Sequence, residues 1–129
     1  MLSAPAVLPR MVAAAVLMAV LYGCSSPGGE VETLVAGGDP ERGRTALDGF
    51  GCGTCHVIPG VKGAVGAVGP PLSRFALRSY IAGQLPNEPE NLVRWVQDPQ
   101  EVEPGTAMPD LDVGPAIARD MAAYLYTLR

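Results

Sequence analysis

The sequence predicts an all-α domain, and three stretches carry that expectation. Asp39-Pro40 has the form of a helix start, with Asp as the cap and Pro at the first helical position, where its missing N–H costs nothing. Leu92, Trp95 and Val96 fall at i, i+3 and i+4 and so share one face of a second helix. Ile117, Met121, Tyr124, Leu125 and Leu128 recur at helical spacing near the end of the chain. No stretch calls for a strand.

Taken in order, the chain opens with one charge, Arg10, followed by the apolar run Met11 to Tyr22. Twelve residues of helix rise about 18 Å, short of the roughly 30 Å hydrocarbon core of a bilayer. The run therefore reads as the core of an export signal covering residues 1–23. Its end, Leu21-Tyr22-Gly23-Cys24, resembles a bacterial lipobox, in which a small residue precedes a cysteine that becomes the lipid-modified first residue. An ordinary cleaved signal is the alternative. Residues 24–38 are dominated by small residues and glycine and read as a flexible linker rather than a second domain. The domain itself is expected over residues 39–129.

The stretch Cys52-Gly53-Thr54-Cys55-His56 follows the first helix. Cys-x-x-Cys-His is the attachment pattern of a c-type haem. Two thiols three positions apart can add to the two vinyl groups on one edge of a porphyrin, and the next residue carries an imidazole to the iron. Structural zinc needs four ligands, and the chain has three cysteines and one histidine in all. A thioredoxin-like pair would need a preceding apolar strand, whereas a helix precedes Cys52. With Cys52 and Cys55 on haem and Cys24 on lipid, no thiol is left over in an oxidising compartment.

Residues 57–69 are rich in glycine and form a loop around the His56 side. Arg78 to Ala82 reads as a short helical turn. Haem carries two propionates that need donors, and Arg74, Arg78 and Tyr80 are candidates, although a solvated charged face would look the same. Asn87-Glu88-Pro89-Glu90 has the form of a capping box, with Asn as cap and Glu three residues on. The helix it opens stops near Asp98, because Pro99 disfavours helix before it.

A sixth ligand to the iron emerges by elimination. Beyond the first two dozen residues the methionines are Met108 and Met121. Met121 sits at a core-type position in the last helix. Met108 lies in Pro104-Gly105-Thr106-Ala107-Met108-Pro109, a proline-bounded loop that cannot be regular helix and can hold a thioether against a metal. A solvent-exposed loop methionine is the alternative, and Lys62, in a glycine-rich run close to His56, is a poorer ligand.

With Cys52-x-x-Cys55-His56, then Gly69-Pro70, then Pro104-Gly105-Thr106-x-Met108, the chain resembles the monohaem class I cytochromes c from about Asp39 to Arg129. The segment from Arg78 through Leu85-Pro86-Asn87 to Trp95-Val96-Gln97-Asp98-Pro99 is similar to the cytochrome c domain of subunit II in caa3-type oxidases. The resemblance implies about four short helices and loops wrapped around one covalent haem c. It implies that the Pro70 carbonyl accepts from the ligand imidazole, with Pro71 leaving the register open by one residue. It places Trp95 on the Met side of the haem, where burial in an ordinary core would look identical. Thr106 stands in the methionine-loop motif. Gly43 matches a glycine that lets the first helix cross the last, with Tyr124 as its expected partner.

Without residues 1–23 the chain has 8 basic residues (9 less Arg10) and 13 acidic ones, a net charge of −5. Nucleic acid is an unsuitable partner, because no basic patch neutralises phosphate. The expected role is electron transfer, not enzymatic, by a lipid-anchored protein at the periplasmic face or the outer face of a bacterial cell membrane. Its partners would be membrane-bound respiratory proteins, either a terminal oxidase or a cytochrome-reducing complex. A fixed subunit of an oxidase or dehydrogenase and a small haem peroxidase remain as alternatives.

Overall fold

The structure is a computed structural model that describes residues 34–129. The signal segment, Cys24 and most of the linker lie outside the described residues.

Helix α1 spans Pro40–Gly49. Asp39 caps it, its carboxylate accepting from the Arg42 N–H at 2.8 Å, and Pro40 opens the first turn as the sequence predicts. Its buried face is Gly43 and Leu47, which meets the last helix, α4, Pro115–Leu125. The buried run of α4 includes Ala118 and then every residue from Asp120 to Leu125. At the crossing the two backbones touch: a Cβ on Gly43 would lie 1.9 Å from the Asp120 carbonyl oxygen. The partner of Gly43 is thus the main chain at Asp120 and Met121, not Tyr124. The Tyr124 hydroxyl instead donates to the Pro59 carbonyl at 2.7 Å.

Asp120, 7% exposed, locks the crossing. Its carboxylate accepts from Arg42 Nε and NH2, both at 2.8 Å, and from the Asp39 N–H at 2.7 Å. The Arg42 guanidinium is the main cause that holds the Asp120 carboxyl below its usual range, with the Asp39 N–H adding to it and burial opposing. The packed domain also begins earlier than Asp39. Val35 is fully buried, and a Cβ on Gly38 would sit 2.6 Å from the Arg119 carbonyl, so the last residues of the stretch read as linker belong to the fold.

Helix α2 spans Pro89–Gln97 and buries Leu92, Val93 and Val96. The expected capping box does not form. Glu88 occupies the cap position without a side-chain bond, because Asn87 is used elsewhere. Its amide donates to the carbonyls of Phe75 and Arg78, both at 3.0 Å, and accepts from the Tyr126 hydroxyl at 2.9 Å. Burial is the main cause that pushes the Tyr126 phenol up to about 12. Asp98 ends α2 and caps a further helix that the sequence reading missed, α3, Pro99–Val102.

Arg78 to Ala82 is not a helical turn. A 3-10 turn lies earlier, at Phe75–Leu77. It is followed by an antiparallel ladder of β1, Tyr80–Ile81, with β2, Leu85–Pro86. Ala82 and Gly83 both have positive φ, 51° and 71°, which reverses the chain between the strands. So small a ladder leaves the class unchanged: the fold is all-α.

The crossing makes a sign-reversing prediction. Helix propensity favours Gly43→Ala by about 1 kcal/mol, whereas overpacking against rigid backbone costs about 1 to 3 kcal/mol. Gly43→Ala is expected to lower the thermal midpoint of the folded protein. A raised midpoint would show that the helices separate freely.

Candidate functional site

A cavity of about 320 Å³ opens inside the domain. Every principal element contributes to its mostly apolar wall. Leu47 comes from α1, Leu92, Trp95 and Val96 from α2, Met121 and Leu125 from α4, and Phe75 and Ile81 from the segment between. The charged residues on the wall are Arg78 and Glu103.

The Cys-x-x-Cys-His stretch reaches this cavity directly from α1. Gly51, with φ 72°, turns the chain into a 3-10 turn at Cys52–Thr54. The Cys55 and His56 N–H groups then donate to the Cys52 carbonyl at 3.2 and 3.0 Å. One turn thus brings both thiols and the imidazole to one wall. The two cysteines are not joined in a disulfide, and burial pushes the Cys52 thiol up.

His56 is oriented by its Nδ1, which lies 2.7 Å from the Pro70 carbonyl oxygen. A carbonyl only accepts, so Nδ1 carries the proton and Nε2 is left with its lone pair. The register is Pro70. The Pro71 carbonyl instead receives the Arg78 guanidinium. The glycine-rich loop is pinned beneath the histidine by Gly66 N–H to Gly53 O at 3.0 Å and Gly69 N–H to Cys55 O at 2.8 Å. Gly69 is required there, since a Cβ would lie 2.3 Å from His56 Cε1.

Met108, half-buried, lines the same cavity with Thr106 and Pro109. Pro70 and Trp95 also line it. Arg78 does so with its guanidinium 5.3 Å over the Phe75 ring. Tyr80 does not. It stands on β1, 61% exposed, because strand alternation turns Ile81 inward and Tyr80 out. Met121 is both core, at 1% exposure, and wall. Sequence reasoning missed Leu47, Leu72, Phe75 and Ile81, which carry no chemical signature. It also missed Gln100, whose amide reaches the methionine loop.

Two thiols, one imidazole and the thioethers of Met108 and Met121 line the cavity, but among the described residues no cluster of three His, Cys, Asp or Glu could hold a bare metal ion. A haem fits this wall: its ring supplies the remaining ligands, two thiols stand three positions apart for its vinyl edge, and apolar side chains surround its plane.

Gly69→Ala is expected to displace the imidazole and break the bond to Pro70. The slowly exchanging Nδ1–H proton resonance of His56 should disappear in the variant. Its persistence would mean that the loop yields instead of the ring.

No family model matches the chain. It is 35% identical over 89 residues to cytochrome c oxidase subunit 2 of Alkalihalophilus pseudofirmus, a match covering 68% of this chain and 25% of that protein. The chain thus spans about a quarter of the length of that relative. Cytochrome c2 from Rhodobacter sphaeroides superposes with a TM-score of 0.55 at 27% identity, covering 70% of this chain and 96% of the other. Together with the helices crossed at Gly43 and the Cys52-x-x-Cys55-His56 turn set into an apolar cavity, these likenesses support a class I cytochrome c fold for the chain.

Proposed function

We propose that the protein carries electrons in a respiratory chain through one covalent haem c, with the iron held by His56 and Met108. The observation that carries this reading is that two thiols, an imidazole fixed as the Nδ1–H tautomer, and a methionine line one apolar cavity. When bound, the haem supplies a one-electron iron couple.

Each residue then has a defined task. Cys52 and Cys55 would hold the haem through their sulfurs, as thioethers to its two vinyl groups. His56 would hold the iron through Nε2, its tautomer and ring orientation fixed by the bond from Nδ1–H to the Pro70 carbonyl. Met108 would hold the iron through its sulfur, and thioether ligation raises the reduction potential. With both residues on the iron no place would be left open for a substrate, which suits electron transfer. Arg78 is the cation on the wall available to a propionate. The apolar wall excludes water and keeps the dielectric low, which favours the less charged, reduced iron.

The proposed setting is the periplasmic face or the outer face of a bacterial cell membrane, where Cys24 carries the lipid. No helix among the described residues is long and apolar enough to cross a membrane. Its partners would be membrane-bound respiratory proteins, a terminal oxidase or a cytochrome-reducing complex. The match to an oxidase subunit favours one further reading, a fixed place within an oxidase complex.

Met108→Ala is expected to abolish the far-red absorption of sulfur-to-iron ligation, lower the potential and admit carbon monoxide to the reduced protein. Survival of that band in Met108→Ala, with its loss in Met121→Leu, would transfer the ligand role to Met121. Carbon monoxide binding by the parent protein at neutral pH would favour a peroxidase.

Cys24→Ser should release the protein from membranes, and mass spectrometry of the parent should find acyl chains on Cys24. One chain binds marginally and several anchor stably. A membrane-bound Cys24→Ser variant would refute the anchor.

A further inference from the structure

We propose that Gln100 is a positioning residue that fixes the direction in which Met108 presents its sulfur. The inference rests on the reading of Met108 as an iron ligand and assigns the part of the chain that holds that ligand in place.

One side-chain amide satisfies three main-chain groups of the methionine loop. Gln100 Nε2 donates to the Thr106 carbonyl at 2.9 Å and to the Met108 carbonyl at 3.1 Å. Its Oε1 accepts from the Gly105 N–H at 3.1 Å. The bonds span the loop from its left-handed glycine, φ 84°, to the methionine itself. Other local contacts are weaker or end earlier. Met108 N–H approaches Thr106 Oγ1 at 3.4 Å, near the limit for a hydrogen bond, and Thr106 N–H reaches Glu103 O at 3.1 Å. Pro104 and Pro109 bound the loop and donate nothing.

The base from which Gln100 acts is stiff. It follows Pro99, among the most deeply buried residues. Asp98 caps α3 by accepting from the Glu101 N–H at 2.8 Å. Arg94 on α2 pairs with Glu101 at 2.8 Å. A continuous path of short contacts therefore runs from α2, which lines the cavity, through α3 to the carbonyl of Met108.

The chemistry selects glutamine. Two carbonyls need donors and one N–H needs an acceptor, and a primary amide supplies both at one end of a side chain. Glutamate keeps the acceptor but sets a carboxylate against two carbonyl oxygens. Methionine keeps the length and loses all three bonds. Lysine restores donation to the carbonyls alone. Water can replace these bonds at an exposed position, so the loss falls on orientation rather than on the existence of the fold.

The test compares haem-loaded parent, Met108→Ala, Gln100→Met, Gln100→Glu and Gln100→Lys. The readouts are the far-red sulfur-to-iron band, the reduction potential, the carbon monoxide association rate of the reduced protein and the thermal midpoint. The expected result is a weakened band, a lowered potential and carbon monoxide association faster by about tenfold, the worth of one or two hydrogen bonds, in Gln100→Met and Gln100→Glu. Gln100→Lys should fall between these and the parent. If Met108→Ala keeps the parent band, the ligand reading itself fails, and this inference with it. If Met108→Ala loses the band while every Gln100 variant keeps the parent band, potential and carbon monoxide rate, Gln100 is at most a staple of loop stability and the positioning role is overturned, whatever the thermal midpoint does.

Discussion

The rest of the domain depends on the contact of α1 with α4, where Gly43 lets two backbones meet and Asp120 fastens them. The approach leaves no room for any side chain at Gly43. It also brings a carboxylate with three donors to the seam. A buried charge left partly satisfied would oppose folding, and here guanidinium and backbone N–H cover it. Because α1 is fixed at this seam, its C-terminal end delivers Cys52, Cys55 and His56 to the cavity, where the glycine-rich loop pins them. The same helix α4 contributes the side chains of Met121 and Leu125 to that wall.

The two halves of the site are built on different physical principles. On the histidine side the chain uses main-chain bonds and glycines, so that His56 sits against Gly69 with almost no freedom. On the methionine side the scaffold is a four-residue helix and a side-chain amide, with Met108 half-buried. A ligand held by backbone sterics changes position only when the loop unfolds. A ligand held by exposed hydrogen bonds can exchange them for water locally. This division makes the methionine side the more labile half of the cavity wall.

Much of this was legible in the sequence because the chemistry is local. The Cys-x-x-Cys-His turn needs only five consecutive residues, the helix at Asp39-Pro40 only a cap and a proline, and the last helix only its spacing. Gly69-Pro70 was legible through family likeness, but the choice between Pro70 and Pro71 required the loop to be folded. Several failures are cases in which a partner outside the local stretch decided the outcome. Asn87 has the local form of a cap, yet Tyr126 and two carbonyls outbid the helix end. Tyr80 is a donor close in sequence to Arg78, yet strand alternation sends it outward. Family likeness pairs Tyr124 with Gly43, but close contact there belongs to main-chain atoms of Asp120 and Met121, which carry no sequence signal. Val35 sits in a stretch of linker composition and is nevertheless fully buried, beside Gly38, whose close neighbours are Arg119 and Ala123 of helix α4.

The Arg42–Asp120 contact spans 78 residues of chain, and that separation governs when the domain can form. Closing so long a loop costs about 4 kcal/mol by chain-entropy scaling, and neither α1 nor the cysteine turn can recover it alone. The recovery comes from α4, whose buried run extends to Leu125. A chain emerging from its N-terminus therefore exposes its cysteine pair well before it has a domain. During that interval both thiols are fully accessible, whereas the closed fold half-buries them, so the order of the elements along the chain sets a time window for their reactivity.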